Sequence, residues 1–222
     1  MDKNLIFIHI PRTGGESIEF LFSKKNESIF NRIKFFKKKK IIIPCFHHKL
    51  GKHDSFDKIN KTILPSENNE YFAIVRNPYD RMKSFYKHLK RWEWDPRYDG
   101  ILPKPQIPAA LAQVYDFNEW LDIVLDEKLP MPEKLRKNNP VDLFQPMTNF
   151  LGNDYNQKNI QLIKFESLIQ NWKKFALKNK LPTKLPHINA TREVKLEYSQ
   201  VGINAVNRRY SKDFEDFKYK KL

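Results

Sequence analysis

Residues Ile6 to Phe22 read IFIHIPRTGGESIEFLF, and how this stretch divides decides the fold. Leu5 to Ile10 is an apolar, β-branched run that stops at Pro11, the pattern of a buried strand. Ile18, Leu21 and Phe22 then recur at helical spacing, which predicts a helix starting over Gly15 to Phe22. Between strand and helix stand Arg12, Thr13, Gly14, Gly15, Glu16 and Ser17. A turn from a parallel strand into a helix lies at the carboxyl end of the sheet, where ligands bind. Glycines let backbone N–H groups converge on an anion, and a helix N-terminus adds its own unpaired donors. Arg12 adds a fixed charge with a forked donor, and Ser17 a hydroxyl in the first helical turn. This is the composition of a phosphate or sulfate cradle.

The chain has 222 residues, which suits one domain over 1–222. Of these, 40% are hydrophobic, with 17 Phe, 9 Tyr and 4 Trp, enough for a real core. A formal net charge of +15 favours anionic partners. Cys45 is the single cysteine, so no disulfide can form within the chain. The first apolar run is too short for a membrane span and lacks a secretory layout. The expectation is a soluble, cytoplasmic chain without a membrane span.

Outward from the first stretch, strands and helices alternate. Further strands are expected at Ile41–Ile43, Tyr71–Val75 and Gln161–Phe165, and helices at Asn77–Arg91, near Asn118–Leu125, at Leu168–Lys178 and over most of Ser199–Phe217. Strands alternating with helices predict an α/β fold with a central parallel sheet. Residues 92–150, rich in Trp, Pro and Asn, are expected to form an acceptor-side insertion.

A second stretch repeats the logic of the first. In YFAIVRNPYDRMKSFYKHL, Tyr71 to Leu89, a strand ends at Val75 and Arg76 follows. Asn77 caps the next helix and Pro78 takes its first position, where a missing N–H costs nothing. Ser84 lies eight residues after Arg76, about two helical turns on, so both can address one anion. Arg76 paired with Asp80, and Ser84 serving as a small packing residue, is the alternative. Neither stretch is a Walker loop, which needs GxxxxGK[ST], and neither is GxGxxG, which disfavours a magnesium-dependent nucleotide kinase.

IPRTGGES and VRNPYDRMKSFY together resemble the cofactor signature of sulfotransferases, closest to the carbohydrate type that includes the uronosyl 2-O-sulfotransferases and many bacterial relatives. FNEWLDIV, LFQPMTNFLG, IKFESL, LPHINAT and INAVNRRYSKDFEDFKY extend the similarity over nearly the whole chain. The resemblance implies a P-loop NTPase-like three-layer α/β/α fold with a central parallel sheet. It implies transfer of a sulfuryl group from 3′-phosphoadenosine 5′-phosphosulfate (PAPS) to a hydroxyl acceptor, a carbohydrate by analogy, with no metal. The 5′-phosphosulfate falls to Arg12 and to Thr13, Gly14, Gly15, Glu16 and Ser17, and the 3′-phosphate to Arg76 and Ser84. Two departures stand out. Arg12 replaces the usual lysine, and Glu16 stands where Thr or Ser is common, a carboxylate tolerable beside an anion only if it points away or pairs with a cation.

An alcohol acceptor also needs a base. By resemblance to a family H-x-x-[YF] setting, His53 in His53-Asp54-Ser55-Phe56 is the catalytic base, with His48 second. Histidine suits the task because its ordinary pKa lies near neutrality. His47, His48 and His53 lack the cysteines or paired carboxylates of a metal site. His187 falls in a late loop with no assigned place. Lysines and arginines around Lys37–Lys40 read as a solvated face or an acidic-glycan groove, and Trp92 and Trp94 as sugar-stacking or core-capping side chains. The alternatives are a non-catalytic nucleotide-binding protein and a basic nucleic-acid-binding protein. The latter is not expected, because no helix-turn-helix, zinc-finger or RNA-recognition signature appears.

Overall fold

Four short apolar runs become four parallel strands in the computed structural model, which describes residues 3–23, 39–63, 65–90, 107–125, 142–153, 155, 159–186, 188 and 194–222. The strands are β1 (Lys3–Ile8), β2 (Lys39–Ile42), β3 (Asn69–Val75) and β4 (Ile160–Lys164). The helices are α1 (Gly15–Phe22), α2 (Phe56–Ile63), α3 (Pro78–Lys90), α4 (Ile107–Val114), α5 (Phe117–Leu125), α6 (Met147–Leu151), α7 (Leu168–Asn179), α8 (Gln200–Arg209) and α9 (Ser211–Phe217). Contacts divide the chain into two compact units, 1–76 with 147–190 and 77–146 with 191–222.

The first unit carries the sheet, in the order β2-β1-β3-β4. Ile6 pairs with Ile42, Phe7 with Phe72 and Ile74 with Ile163. The central strands are apolar on both faces because helices cover both. On one face Leu5, Phe7, Phe72 and Ile74 pack with Ile18 and Leu21 of α1 and Trp172 and Phe175 of α7. On the other, Phe56 of α2 meets the Tyr71 ring edge-on at 4.8 Å, and Tyr71 donates its hydroxyl hydrogen to Asn60. Helices on either side of a parallel sheet make this an α/β fold of the P-loop-like kind. Trp172 is fully buried, and its indole N–H reaches the Pro182 carbonyl at 3.0 Å. Burial of one such side chain contributes roughly 1.5–3 kcal/mol.

Each expected element is observed to within two residues, helices α4 and α6 stand where none was expected, and one boundary is instructive. β1 ends at Ile8, and His9 and Ile10 have left the ladder. Their carbonyls are used elsewhere: His9 O accepts from His53 and Ile10 O from the Thr13 hydroxyl. The apolar run continues past the strand because both residues stay buried in the turn.

The second unit is helical among its described residues. Tyr79, Met82, Phe85 and Leu89 of α3 share a core with Trp120 and Leu121 of α5, Val206 of α8 and Phe214 of α9. At its centre Arg81 is fully buried. Its guanidinium donates to the carbonyls of Leu143 and Gln145 at 2.9 and 3.0 Å and lies over the rings of Phe85 and Tyr210. Burial pulls its pKa below the ordinary value, and Tyr210, Asp213 and Asp142 pull the other way.

Lys24, Lys25, Arg32, Lys34 and Lys37 of the basic stretch lie outside the described residues, as do Trp92, Trp94 and His187. No helix among the described residues is long and apolar enough to cross a membrane.

Candidate active site

Sheet order places the two arginine-bearing turns side by side. After β1 the chain crosses to β2 on one flank, and after β3 it passes to β4 on the other. Between β1 and β3 the connections diverge, leaving the crevice in which open α/β sheets bind ligands. Arg12 follows β1 and Arg76 follows β3. They are joined directly, for Arg76 Nη1 donates to the Arg12 carbonyl at 3.2 Å. The Arg76 guanidinium also lies 4.1 Å from the centre of the Phe165 ring, which fixes its plane.

The first turn is bent into an anion nest. Arg12 has φ 64° and Gly14 φ 90°, while the intervening Thr13 keeps a negative φ. Such alternation aims successive N–H groups into one concavity. Thr13 is fully buried and donates its hydroxyl hydrogen to Ile10 O at 2.9 Å, so its side chain braces the turn. Two features oppose a side chain at Gly14: its left-handed φ, and the Phe165 ring 2.8 Å from where a Cβ would stand. Gly15 opens α1, and a Cβ there would stand 2.3 Å from the His9 ring. Gly14 offers no side chain to cap α1, and its carbonyl accepts the Ser17 N–H at 3.2 Å. Ser17 is buried in the first turn of α1.

Glu16 meets a cation. Lys52 Nζ lies 3.4 Å from Glu16 Oε1 and 3.0 Å from Glu19 Oε2, so the carboxylate in the cradle is compensated from the facing loop. Burial pulls the Lys52 ammonium down, but Glu19 and Glu16 outweigh it and keep the lysine charged.

That loop also delivers His53. Gly51 N–H donates to Asp54 Oδ2 at 2.7 Å and Lys58 bridges Asp54 Oδ1 at 2.8 Å, so Asp54 closes a tight turn carrying Lys52 and His53. His53 Nδ1 lies 2.9 Å from His9 O. A carbonyl can only accept, so Nδ1 bears the hydrogen and Nε2 keeps the lone pair. Burial first, then the neighbouring His9 and Lys52, pushes the His53 pKa down to about 3. The imidazole is neutral at pH 7.

His9, Glu19 and Lys52 were not among the expected site residues. His9 is buried, stacked on Phe7 at 5.3 Å and edge-on to His53 at 4.6 Å. Its Nδ1 meets Glu19 Oε1 at 2.6 Å. Burial lowers the His9 pKa, so its neutral ring donates to an ionised Glu19. A lone histidine inside the apolar run IFIHI was the available clue, and Glu19 on the strand-facing side of α1 its partner.

Elsewhere, His48 is exposed and stacks on His47 at 5.0 Å. Ser84 is buried in α3 of the second unit. Among the described residues no group of His, Cys, Asp and Glu could hold a metal ion. The family model described as the sulfotransferase family matches residues 1–220. The chain belongs to the sulfotransferase family. Both compact units lie within that match but for the last two residues, and the family's chemistry is sulfuryl transfer. No curated protein and no solved structure matches.

Proposed function

We propose that the chain is a PAPS-dependent sulfotransferase acting on a hydroxyl acceptor, a carbohydrate by its resemblance to the uronosyl type. The observation that carries this reading is the junction of Arg12 and Arg76 at the carboxyl ends of adjacent parallel strands. Arg12 and the backbone of Thr13, Gly14, Gly15, Glu16 and Ser17 would take the 5′-phosphosulfate. Arg76 would take the 3′-phosphate, with Ser84 assigned to it by the motif alone. The domain works as one unit over 1–222 in this reading, with acceptor choice in residues 92–150.

The chemistry asks little of the protein. The acceptor oxygen forms a bond to sulfur as the bond from sulfur to the bridging phosphate oxygen breaks. The acceptor proton passes to His53 Nε2, and the leaving electron pair stays on the 5′-phosphate. Arg12 and the nest N–H groups stabilise that developing charge. Arg12 in place of lysine keeps the charge and adds a second donor. Glu16 is compatible with a bound polyanion because Lys52 pairs with it.

Calorimetric titration with 3′-phosphoadenosine 5′-phosphate in magnesium-free buffer, with ATP as control, tests the donor. Micromolar binding is expected, with ATP much weaker. Arg76→Ala should weaken it roughly tenfold to a hundredfold, the worth of lost charge-assisted bonds. Absence of binding, or tighter binding of ATP with magnesium, would overturn the reading.

A further inference from the structure

Glu19, a largely buried carboxylate on α1, binds Lys52 directly and binds His9, whose ring and carbonyl meet His53. Glu19 Oε1 accepts from His9 Nδ1 at 2.6 Å, and Glu19 Oε2 binds Lys52 Nζ at 3.0 Å. One arm fixes the His9 ring, which stands edge-on to His53 and beside the carbonyl that receives His53 Nδ1–H. The other fixes the residue preceding His53 in the chain. Glu19 is itself only 13% exposed, so it has little competing water. None of the roles assigned to the donor or acceptor uses Glu19, yet its carboxylate stays ionised. Burial would raise its pKa, and the hydrogen bond from His9 and the charge of Lys52 outweigh that, holding it well below the ordinary carboxylate range.

We propose that Glu19 is a positioning residue for His53, acting through His9 on one side and Lys52 on the other. It selects the tautomer in which Nδ1 carries the hydrogen and Nε2 is the base. This rests on His53 being the base, and adds to that reading the group that makes it one. A free imidazole in water favours hydrogen on Nε2, the wrong atom for the task. The His9 carbonyl reverses the preference only while the loop is pressed against the end of β1. Orienting partners of this kind typically change activity roughly tenfold to a hundredfold.

The test reads the tautomer directly and needs no acceptor. Long-range nitrogen–proton correlation spectra of ¹⁵N-histidine-labelled protein at pH 7, assigned with His53→Gln, distinguish Nδ1–H from Nε2–H. The wild type should show His53 unprotonated as the Nδ1–H form. Glu19→Gln, which keeps size but loses charge, should move His53 to a mixture with a substantial Nε2–H signal. Lys52→Met, at a position about a third exposed, should do the same and guards against a folding defect in the first variant. A wild-type Nε2–H tautomer, or an Nδ1–H pattern unchanged in Lys52→Met, would overturn the proposal. A purely structural Glu19 would lower thermal stability without moving the tautomer. Titration with 3′-phosphoadenosine 5′-phosphate on the same samples separates the two ideas. If the tautomer shifts while the wild type binds no nucleotide, the donor reading falls and the positioning of His53 stands.

Discussion

The turn after β1 and the turn after β3 have the same plan, strand then arginine then helix, and opposite construction. The first puts Arg12 and Gly14 in the left-handed region and gives α1 no side-chain cap. The second is capped from within: Asn77 Oδ1 accepts the Tyr79 N–H at 2.9 Å and Pro78 opens α3. One turn accepts backbone strain and has no side-chain cap, and the other is capped by its own asparagine. The second motif also divides its arginines. Arg76 stands partly exposed at the strand end, whereas Arg81, five residues on, is fully buried. Both donate to backbone carbonyls and lie over aromatic rings, so residue type and motif do not tell the strand-end cation from the core one; burial does.

The largest effect expected from breaking this contrast comes from Arg81. Arg81→Ala takes a buried guanidinium from two carbonyls and from the field of a fully buried Asp213. A loss of about 3–5 kcal/mol is expected, read from urea denaturation. Arg76→Ala, the variant expected in the proposed function to weaken nucleotide binding roughly tenfold to a hundredfold, should change the same curve by under about 1 kcal/mol. Equal destabilisation by the two substitutions would erase the distinction between them.

Next in size is Gly14→Ala, which sharpens the other half of the comparison. Alanine at φ 90° is strained, and its Cβ would fall 2.8 Å from a Phe165 carbon. Together these cost roughly 1–3 kcal/mol. Phe165 is also the ring that carries Arg76, so displacing it should weaken binding of 3′-phosphoadenosine 5′-phosphate as well. Loss of stability with unaltered nucleotide affinity would show that Gly14 serves only the turn.

Both turns were legible in the sequence because their signals are local. A proline or arginine ending an apolar run, glycines before a helical pattern and Asn-Pro at a helix start each act over a few residues. The parallel sheet followed from alternation. The device around His53 was not legible, because it joins His9, Glu16 and Glu19 of the first stretch to Lys52 and His53 of a loop more than thirty residues on. Each looks ordinary alone: a polar interruption of a strand, two acids on a helix and a lysine in a basic chain. Only the packing of α1 and the 51–54 turn against the end of β1 makes them one network. Glu16 shows the difficulty most clearly. In sequence it opposes anion binding, and its counter-charge is supplied from 36 residues away.

The smallest effect should come from the cap itself. Asn77→Ala removes one hydrogen bond to the first turn of α3 and leaves Pro78 to begin the helix. Its expected cost is about 1 kcal/mol, recovered largely by Asn77→Ser or Asn77→Asp, since either can cap. Because Asn77 meets its need within its own turn, nucleotide affinity in Asn77→Ala should equal that of the wild type within about twofold, by calorimetry. A cap substitution at the second turn thus loses stability and keeps binding, whereas Gly14→Ala at the first loses both. If Asn77→Ala weakened nucleotide binding as strongly as Arg76→Ala, the second turn would also be built for a guest, and the contrast between the two turns would have to be abandoned.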